Sequence, residues 1–403
     1  MTSVIKSYHE CDNEAETHNI LDAVKALLPE IRAAQAESDR LGRPPEHIVQ
    51  MLRKVGAYKL TVPKEYGGLG VDMKTWMDVV TEIGRGDAGV AWGVTLNASC
   101  SWVFSSFFPK HIVDEVFSDP DAVLAGVFTG RKLTSRPVKG GIFIDEGTWF
   151  FNSGVYEATW DLLGVTMFDE AGEPIGPGIA LVPMSDVHIL NDWNTTGIRG
   201  SGSSNVTMKN VFIPNERIIP LFPLMDGSYP LTNDSAIASV PFAPAMVSIL
   251  SYPILGAGLH MLEHFLETLP RRDIKLTTYT KAAEAPVTHL ILGEASGKIE
   301  AGRLLIENGV KEMTDYATRG EIMPQLLRAK VCRDTALAER LIWEGVDQLA
   351  TVSGGSFSWM GNLGNRLWQD VKVGTLHPMI SLSTNYEMYG GLLVGMETPL
   401  MPV

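Results

Sequence analysis

The hydrophobic pattern of this 403-residue chain changes its period twice, and this constrains the fold more than any other feature. From residue 20 to about 118 the apolar residues recur every three or four positions, as on the buried face of a helix. From 120 to about 232 the apolar runs are short, alternating or β-branched, and Gly, Pro or Asp separates them. From 241 onward long helical patterns return. The sequence therefore predicts a helical part, a β part and a second helical part.

Each part divides into individual elements. The N-terminal part is predicted to contain a helix over 20–31 that Pro29 kinks or divides, and further helices over 46–55, 74–84 and 88–107. The β part is predicted to be antiparallel, with strands at 123–128, 142–151, 162–167, 179–182 and 206–213. The C-terminal part is predicted to be a bundle of four long helices over 245–269, 288–319, 325–349 and 369–395. We place the domains at 1–118, 119–232 and 233–403.

Composition excludes several classes of protein. With 45% hydrophobic residues the chain can bury a large core, and a formal net charge of −14 argues against a nucleic-acid partner. Three widely spaced cysteines provide neither a disulfide framework nor a C-x-x-C metal site, which suits a reducing compartment. The N-terminus does not read as a signal peptide, and prolines interrupt the longest apolar stretch, 243–259. We expect a cytoplasmic protein without a membrane span.

One motif suggests a metal site. Residues 260–264 read H-M-L-E-H and fit H-x-x-E-H, which on a helix places two imidazoles one turn apart beside a carboxylate, as in a zinc protease. A zinc site would need a third ligand, a glutamate on a later helix, and no candidate stands out among Glu294, Glu300 and Glu312. The pattern is short and arises easily by chance among nine histidines, so the alternative is a bundle helix that exposes His260 and His264. We predict no metal.

Three other segments have a more specific pattern. Residues 193–203 read W-N-T-T-G-I-R-G-S-G-S, residues 149–154 read W-F-F-N-S-G, and residues 62–70 read V-P-K-E-Y-G-G-L-G. The first is not a Rossmann phosphate loop, because Asn205 stands where the third glycine belongs and a strand follows it. Together with the order of the domains, these segments resemble the two-component, reduced-flavin-dependent monooxygenases of the acyl-CoA dehydrogenase superfamily. The resemblance covers about 41–395 and implies an α+β multi-domain fold: an N-terminal helical domain, a central antiparallel, barrel-like β domain and a C-terminal four-helix bundle.

The resemblance implies a cofactor and partners. Nothing in the chain resembles a nicotinamide-binding Rossmann unit, so a separate NAD(P)H:flavin reductase would supply reduced FAD, with FMN also possible. The enzyme would be a homotetramer, in which the Arg271–Arg272 pair would reach a neighbouring subunit's flavin phosphates, although a solvated helix end is the alternative. The flavin-binding residues implied by the resemblance are Trp193, Thr195, Thr196, Arg199, Gly200, Ser201, Ser203, Phe128, Thr129, Arg271, Arg272, Gly354 and Gly355.

The C-terminal segment 364–381 separates two chemistries. Many acyl-CoA dehydrogenases have a catalytic glutamate near the position of Pro378, but here the chain reads Leu376-His377-Pro378, and no carboxylate lies between Asp370 and Glu387. The resemblance to the monooxygenases makes His377 a candidate catalytic residue, with Ser153 and Asn152 beside the flavin edge. A histidine bonded within a turn, and a strand-end Asn-Ser-Gly turn that binds no ligand, remain alternatives.

The chain also departs from the family pattern. Cys100, a further candidate catalytic residue, stands where many members have a second histidine, and Asn97 or Ser101 would substitute for it in hydrogen bonding. Glu157 stands where another histidine is common. We add Trp102 and Trp368 to Glu157 and Asn97 as candidate substrate contacts.

The implied reaction uses O2 and a C4a-hydroperoxyflavin to oxygenate a small aromatic or heteroaromatic substrate, indole-like or phenolic. The missing bases favour an indole-like substrate, whose ring carbon needs no prior ionisation. The alternatives are an acyl-CoA dehydrogenase with a displaced base and a catalytically inactive flavin-binding protein.

Overall fold

The computed structural model describes residues 15–396, with side chains from residue 20. The N-terminal domain contains helices α1 (Ala15–Leu41), α2 (Glu46–Lys54), α3 (Met73–Gly86), α4 (Ala88–Phe107) and α5 (Lys110–Phe117). Helix α4 has the predicted bounds because the Asp87 side chain accepts hydrogen bonds from the free backbone N–H groups of Gly89 and Val90. Helix α1 continues through Pro29, so the predicted division does not occur; packing on α3 keeps the segment helical.

The β domain contains two four-stranded sheets. Its strands are β1 (Leu124–Val127), β2 (Arg131–Val138), β3 (Gly141–Trp149), β4 (Trp160–Phe168), β5 (Pro174–Pro183), β6 (His188–Ile189), β7 (Val206–Pro214) and β8 (Ile218–Pro220). The strand orders are β1-β4-β5-β8 and β2-β3-β7-β6. The predicted all-antiparallel pairing is wrong at β1, which pairs with β4 in parallel. The reason is topological, because β2 and β3 lie between these two strands in the sequence but belong to the other sheet.

The C-terminal domain is a bundle in which two of the four predicted helices are interrupted. A short helix, α6 (Leu221–Asp226), follows β8 inside the range predicted for the β domain. The bundle's elements are α7 (Phe242–Ser248), α8 (Ser251–Thr268), α9 (Pro286–Arg319), α10 (Gln325–Thr351), α11 (Leu363–Gly374) and α12 (Leu382–Leu393). The last predicted helix, 369–395, breaks at His377, which is extended as expected for a residue that precedes proline.

The apolar segment Phe242–Arg271 is long enough to span a membrane, but its 18-residue apolar stretch is 94% buried inside the protein. The predicted buried helix is confirmed, with an interruption between α7 and α8.

The sheet β1-β4-β5-β8 is buried on both faces. Leu162 on β4 belongs to the core shared with the helical domains, whereas its neighbour Leu163 belongs to the core between the two sheets. Leu181 and Val182 on β5 divide in the same way, because successive side chains of a strand point to opposite faces. The β domain is therefore fixed against the helices, and the turn before β7 lies where all three domains meet.

Candidate active site

Glycines let three segments meet at backbone distance. A Cβ added to Gly89, at the start of α4, would lie 2.6 Å from the backbone nitrogen of Gly200. One added to Gly197 would overlap the carbonyl oxygen of Gln369 on α11. We call this region the junction: turn 197–203, the first half of α4, and α11 with the segment up to Met379. Only glycine allows such close contact between backbones.

A chain of hydroxyl groups crosses the junction. Trp92 Nε1 on α4 donates to Ser153 Oγ at 3.2 Å. Ser153 Oγ lies 2.7 Å from Ser203 Oγ, which lies 2.7 Å from Ser201 Oγ, and each pair shares a hydrogen bond. All three serines are buried. Tertiary folding therefore brings together three predicted site residues from two distant segments.

His377 lies beside this chain of hydroxyl groups. Its ring centroid is 6.0 Å from that of Trp92, and its Nδ1 accepts a hydrogen bond from the backbone N–H of Met379 at 3.3 Å. An Nδ1 that accepts carries no proton, so the neutral ring has its N–H on Nε2. Burial lowers the pKa of His377 to about 4. At neutral pH the residue is therefore a hydrogen-bond donor through Nε2. The turn-bonded histidine foreseen as an alternative is present, and it leaves Nε2 available.

Asn152 is fully buried, and its side chain faces the protein interior. Its Nδ2 donates to Asp161 Oδ2 at 2.6 Å, and neither Asn152 Oδ1 nor Asp161 Oδ1 has a hydrogen-bond partner among the described residues. Burial raises the pKa of Asp161 to about 7. The predicted contact of Asn152 with a flavin stays a prediction. The sequence interpretation missed Asp161, although an acid inside the apolar run of β4 is a visible signal.

The residues at the positions of the missing histidines differ in basicity: Cys100 offers no base, whereas Glu157 does. Cys100 is a buried free thiol, and burial, with Asp161 nearby, raises its pKa, so the thiol stays protonated. Asn97 uses its Nδ2 to donate to the carbonyls of Leu124 and Gly154, at 2.8 and 3.1 Å. Burial raises the pKa of Glu157 to about 7, against the lowering effect of Arg53 and Arg43.

An exposed aromatic pair flanks the turn. Phe151 is 67% exposed, has a left-handed backbone (φ 64°), and lies edge-to-face with Trp193 at 6.1 Å. The Phe151 N–H donates to Asn205 Oδ1 at 3.0 Å, which helps to hold this disfavoured conformation. Trp193 Nε1 donates to the carbonyl of Ile198 at 3.2 Å. The pair forms an apolar wall open to solvent. The sequence interpretation included Trp193 and missed Phe151.

The remaining predicted contacts near the turn have varied surroundings. Thr195 Oγ1 donates to the carbonyl of Gly197 at 2.9 Å, whereas Thr196 and Thr129 are exposed. Phe128 stacks on Phe242 at 6.3 Å. None of these contacts excludes a ligand, so the predicted roles stay predictions.

The two tryptophans predicted to contact the substrate, Trp102 and Trp368, mainly pack against other side chains. Trp102 is fully buried among aromatic rings and donates through Nε1 to the carbonyl of Ile237 at 2.8 Å. Trp368 donates through Nε1 to Asp347 Oδ1 at 2.8 Å and packs on Trp343. Substrate contact by either residue stays a prediction, and for Trp102 it would require the core to move.

A second group of predicted residues meets at one end of the bundle. Arg272 Nη2 donates to the carbonyl of Val352 at 2.9 Å, and a Cβ at Gly354 would lie 3.5 Å from that Nη2. Gly355 follows, and Arg271 is exposed. A polar cavity of about 60 Å³ adjoins them. It is lined by His264, Phe265, Thr268, Arg272, Ser353, Ser356, Phe357, Asn362 and Gly364.

The H-x-x-E-H residues are engaged in other contacts. Glu263 accepts from Arg32 Nη2 at 2.8 Å and from Arg85 Nε at 2.9 Å. His260 is buried, not exposed as the bundle-helix alternative expected, because α8 lies inside the bundle. Within residues 20–396, no three His, Cys, Asp or Glu side chains form a group that could hold a metal ion.

Two models of one protein family match this chain. The acyl-CoA dehydrogenase N-terminal domain matches residues 14–107, and the acyl-CoA dehydrogenase C-terminal domain matches residues 248–382. Together they cover more than half of the chain. The chain belongs to the acyl-CoA dehydrogenase family.

The names of its relatives indicate which kind of reaction this acyl-CoA dehydrogenase family member is similar in. The chain is 27% identical, over 94% of its own length and 90% of the relative, to the oxygenase component of p-hydroxyphenylacetate 3-hydroxylase from Acinetobacter baumannii. It is 25% identical to the oxygenase subunit HsaA of a flavin-dependent monooxygenase from Rhodococcus jostii (strain RHA1), over 92% of this chain and 97% of the relative.

A solved structure with bound reduced flavin has the same fold as this chain. XiaF from Streptomyces sp., in complex with FADH2 and glycerol, matches with a TM-score of 0.89 at 25% identity, over 96% of this chain and 98% of XiaF. The protein is a flavin-dependent monooxygenase of the acyl-CoA dehydrogenase fold, an oxygenase component that acts with a separate reductase.

The residues at the junction of this acyl-CoA dehydrogenase fold fit a flavin. The exposed ring of Phe151 beside Trp193 is an apolar wall for a planar ring system. Ser153, which bonds to Trp92, and His377, whose ring lies beside Trp92, provide polar groups in the same region. Outside the junction, the cavity beside Arg272 provides a cation and hydroxyl groups, which suit a phosphate.

Proposed function

We propose that this protein oxygenates a small aromatic or heteroaromatic substrate, using O2 and reduced FAD, with FMN as a possible substitute, delivered by a separate NAD(P)H:flavin reductase. The observation that carries the proposal is the arrangement of Trp92, Ser153 and a neutral His377 at the junction. A dehydrogenase needs a carboxylate base beside its substrate. Between Asp370 and Glu387 the only titratable side chains are Lys372, His377 and Tyr386.

Bound reduced flavin supplies the two electrons with which O2 is activated. The chain's own residues orient the reactants and exclude water. Trp92 fixes the Ser153 hydroxyl, and Met379 fixes the His377 tautomer, so two polar groups face the site in defined orientations. Burial of the three serines keeps water away from them, which limits loss of oxygen as hydrogen peroxide.

The substrate class follows from the scarcity of bases. The Cys100 thiol stays protonated and the Asn97 amide donates to two carbonyls, so α4 offers no base at these positions. A phenol reacts best after losing its proton, whereas an indole-like ring reacts through carbon without ionisation. We therefore propose an indole-like substrate, with a phenol whose proton passes to Glu157 as the second candidate. Comparing product yields from indole and from a phenol distinguishes the two.

We also propose a cytoplasmic homotetramer. Two observations support it: the lack of a disulfide framework and the large apolar side chains that the bundle exposes. Leu290 on α9 is 75% exposed and Ile322 is 78% exposed, and contacts between bundles would cover both side chains.

The proposed function is tested by rapid mixing. The purified protein is loaded with reduced FAD without oxygen and mixed with oxygenated buffer while flavin absorbance is followed. We expect a lag before oxidised flavin appears, and an indole-like substrate is expected to shorten the lag and yield oxygenated product. One-step reoxidation at the rate of free flavin, with no product, contradicts the proposal. Anaerobic reduction of the FAD-bound protein by an acyl-CoA would support the dehydrogenase alternative.

A further inference from the structure

Five charged side chains, three of them buried and two partly exposed, tie the junction together. We call them the charge cluster: Asp39 on α1, Asp87 before α4, Arg199 in turn 197–203, and Arg366 and Asp370 on α11. Asp87 and Asp370 are fully buried and Arg366 is 6% exposed. Charges this deep are retained only when they are paired and hydrogen-bonded.

The two arginines link the three carboxylates. Arg366 Nη2 donates to Asp39 Oδ1 at 3.0 Å and to Asp87 Oδ2 at 2.9 Å, and Arg366 Nη1 lies 3.3 Å from Asp370 Oδ2. Arg199 Nη2 donates to Asp39 Oδ2 at 2.7 Å. The predicted flavin contact of Arg199 stays a prediction, and here its guanidinium holds the turn against α1. The cluster has one carboxylate more than it has guanidinium groups.

Asp370 differs from Asp87, whose Oδ1 caps its own helix, because its Oδ1 binds the backbone of a segment distant in the sequence. Asp370 Oδ1 accepts a hydrogen bond from the Ile198 N–H at 2.6 Å. Ile198 has a left-handed backbone (φ 51°, ψ 34°), which is a true outlier for a β-branched residue and must be held by its surroundings. Its side chain is buried, and its carbonyl accepts from Trp193 Nε1.

The conformation of Ile198 sets the path of the turn that carries Ser201 and Ser203. The Ser201 N–H donates to the carbonyl of Ile198 at 3.1 Å. On the other side, Asp370 lies seven residues before His377, and α11 contacts Gly197 through the carbonyl of Gln369. Asp370 therefore connects the hydroxyl chain to the helix that leads to His377.

We propose that Asp370 is a positioning residue that holds Ile198 in its left-handed conformation and thereby fixes the distance between the serine hydroxyls and His377. It acts as an acceptor for the backbone N–H. The consequence for oxygenation rests on the proposed function, whereas the consequences for turn geometry and flavin affinity do not.

Substituting Asn or Leu for Asp370 distinguishes the loss of its charge from the loss of its hydrogen-bond acceptor. Asp370→Asn keeps an acceptor oxygen and leaves two carboxylates with two guanidinium groups, so Ile198 stays bonded. Asp370→Leu removes both the charge and the acceptor at similar volume. Ile198→Gly provides a suppressor, because glycine adopts the left-handed conformation without being held.

The test compares oxidised FAD affinity, measured by fluorescence titration, and product formed per reduced flavin, for wild type, D370N, D370L, I198G and the D370L/I198G double variant. We expect D370L to weaken FAD binding by about ten-fold, the equivalent of about 1.4 kcal/mol, and D370N to stay within about three-fold of wild type. In the I198G background, D370L should cost no more than about three-fold.

Two outcomes overturn the proposal. If D370N is as defective as D370L, the charge and not the acceptor is what matters. If the effects of D370L and I198G simply multiply, Ile198 is not the link. The titration needs neither oxygen nor substrate, so a protein that binds FAD as expected but oxygenates nothing contradicts the proposed function alone.

Amide hydrogen exchange covers the case in which D370L does not fold or no flavin binds. In the wild-type protein we expect the Ile198 amide to be as protected as amides of β7. Exchange as fast as in the exposed segment 226–236 would show that the hydrogen bond to Asp370 does not hold the turn, and would overturn the proposal.

Discussion

At the scale of single residues, a hydrogen bond from the neighbouring backbone decides what His377 can do. A histidine whose Nδ1 accepts from the Met379 N–H presents a donor at Nε2, and burial keeps it neutral. The same residue beside a carboxylate would be a base. Its chemistry is therefore a property of the turn that contains it.

This assignment predicts the titration of His377. Its pKa of about 4 lies below the ordinary 6.5, so the ring stays neutral as pH falls from 8 to 5 and gains its proton only near pH 4. We expect ¹⁵N-histidine NMR to show an unprotonated Nδ1 over that range, with the signal assigned by its loss in His377→Gln. A midpoint near 6.5 would contradict the assignment.

A donor role also predicts which substitutions are tolerated. His377→Gln keeps an N–H donor, whereas His377→Phe keeps only the ring. We expect H377F to lose about a hundred-fold in product per reduced flavin, with hydrogen peroxide rising in proportion, and H377Q to lose less, because removing one donor to developing charge typically costs about a hundred- to a thousand-fold. Equal losses would mean that ring shape matters more than the N–H.

Two glutamates on α10 predict opposite effects of pH on stability. Glu339 is buried with no hydrogen-bond partner among the described residues, and burial raises its pKa well above 4.5. In the unfolded chain it loses its proton above pH 4.5, so folding becomes costlier as pH rises. Glu344 is hydrogen-bonded by Arg340 and Lys298, which lowers its pKa, so it stabilises the fold above pH 4.5 and loses that effect as pH falls.

Glu339→Gln is therefore expected to stabilise the protein at pH 7, because the amide has no charge that must be neutralised on folding. The gain should vanish near pH 4.5. The control Glu344→Gln should be neutral or destabilising at pH 7. Denaturant titrations at pH 4.5 and pH 7 measure both, and an E339Q effect independent of pH would contradict the assignment.

At the scale of elements, glycines on α4 set how closely the helix approaches turn 197–203. A Cβ at Gly89 would lie 2.6 Å from Gly200 N, whereas one at Gly93, a turn later, would lie 3.5 Å from the Ser201 carbonyl oxygen in ordinary contact. Gly89→Ala should therefore displace the turn, lower the melting temperature and weaken FAD binding. Gly93→Ala should fold at least as stably as wild type, because alanine favours the helix by about 1 kcal/mol. Similar melting temperatures for the two variants would contradict close packing at Gly89.

Another element-level feature is the break between α11 and α12. His377 precedes a proline, so its backbone is extended and its ring caps the short turn Pro378–Ile380. A continuous helix over 369–395 would give the N–H of Met379 a helical carbonyl as its partner. The break therefore creates the hydrogen bond that fixes the His377 tautomer.

At the scale of the whole molecule, the bundle exposes apolar side chains that an assembly would cover. Leu290 on α9 is 75% exposed, and on the β domain Ile175 is 59% exposed. If the bundles lie at the centre of a tetramer, Leu290→Glu should shift the mass measured by light scattering from four subunits to fewer, and Ile175→Glu should not. A wild-type protein that is monomeric at micromolar concentration would contradict the tetramer.

Hydrophobic periodicity in the sequence was enough to predict the order of the three parts and the bounds of α4. Local signals suffice there, because helix periodicity and an Asp cap are contained in neighbouring residues. The resemblance of segments 149–154 and 193–203 to flavin-binding segments assigned Ser153, Ser201 and Ser203 to one site. Their hydroxyl groups are hydrogen-bonded to one another in the structure, and their contact with a flavin stays a prediction.

Only the tertiary structure decided the rest. Three features depend on residues that are far apart in the chain, so no local pattern encodes them. They are the parallel pairing of β1 with β4, the hydrogen bond from the Ile198 N–H to Asp370, and the burial of Asp161. The sequence by itself determined the family and the kinds of side chain available. The tertiary structure determined their protonation and direction, because both depend on burial and on hydrogen-bond partners that only the folded chain brings within reach.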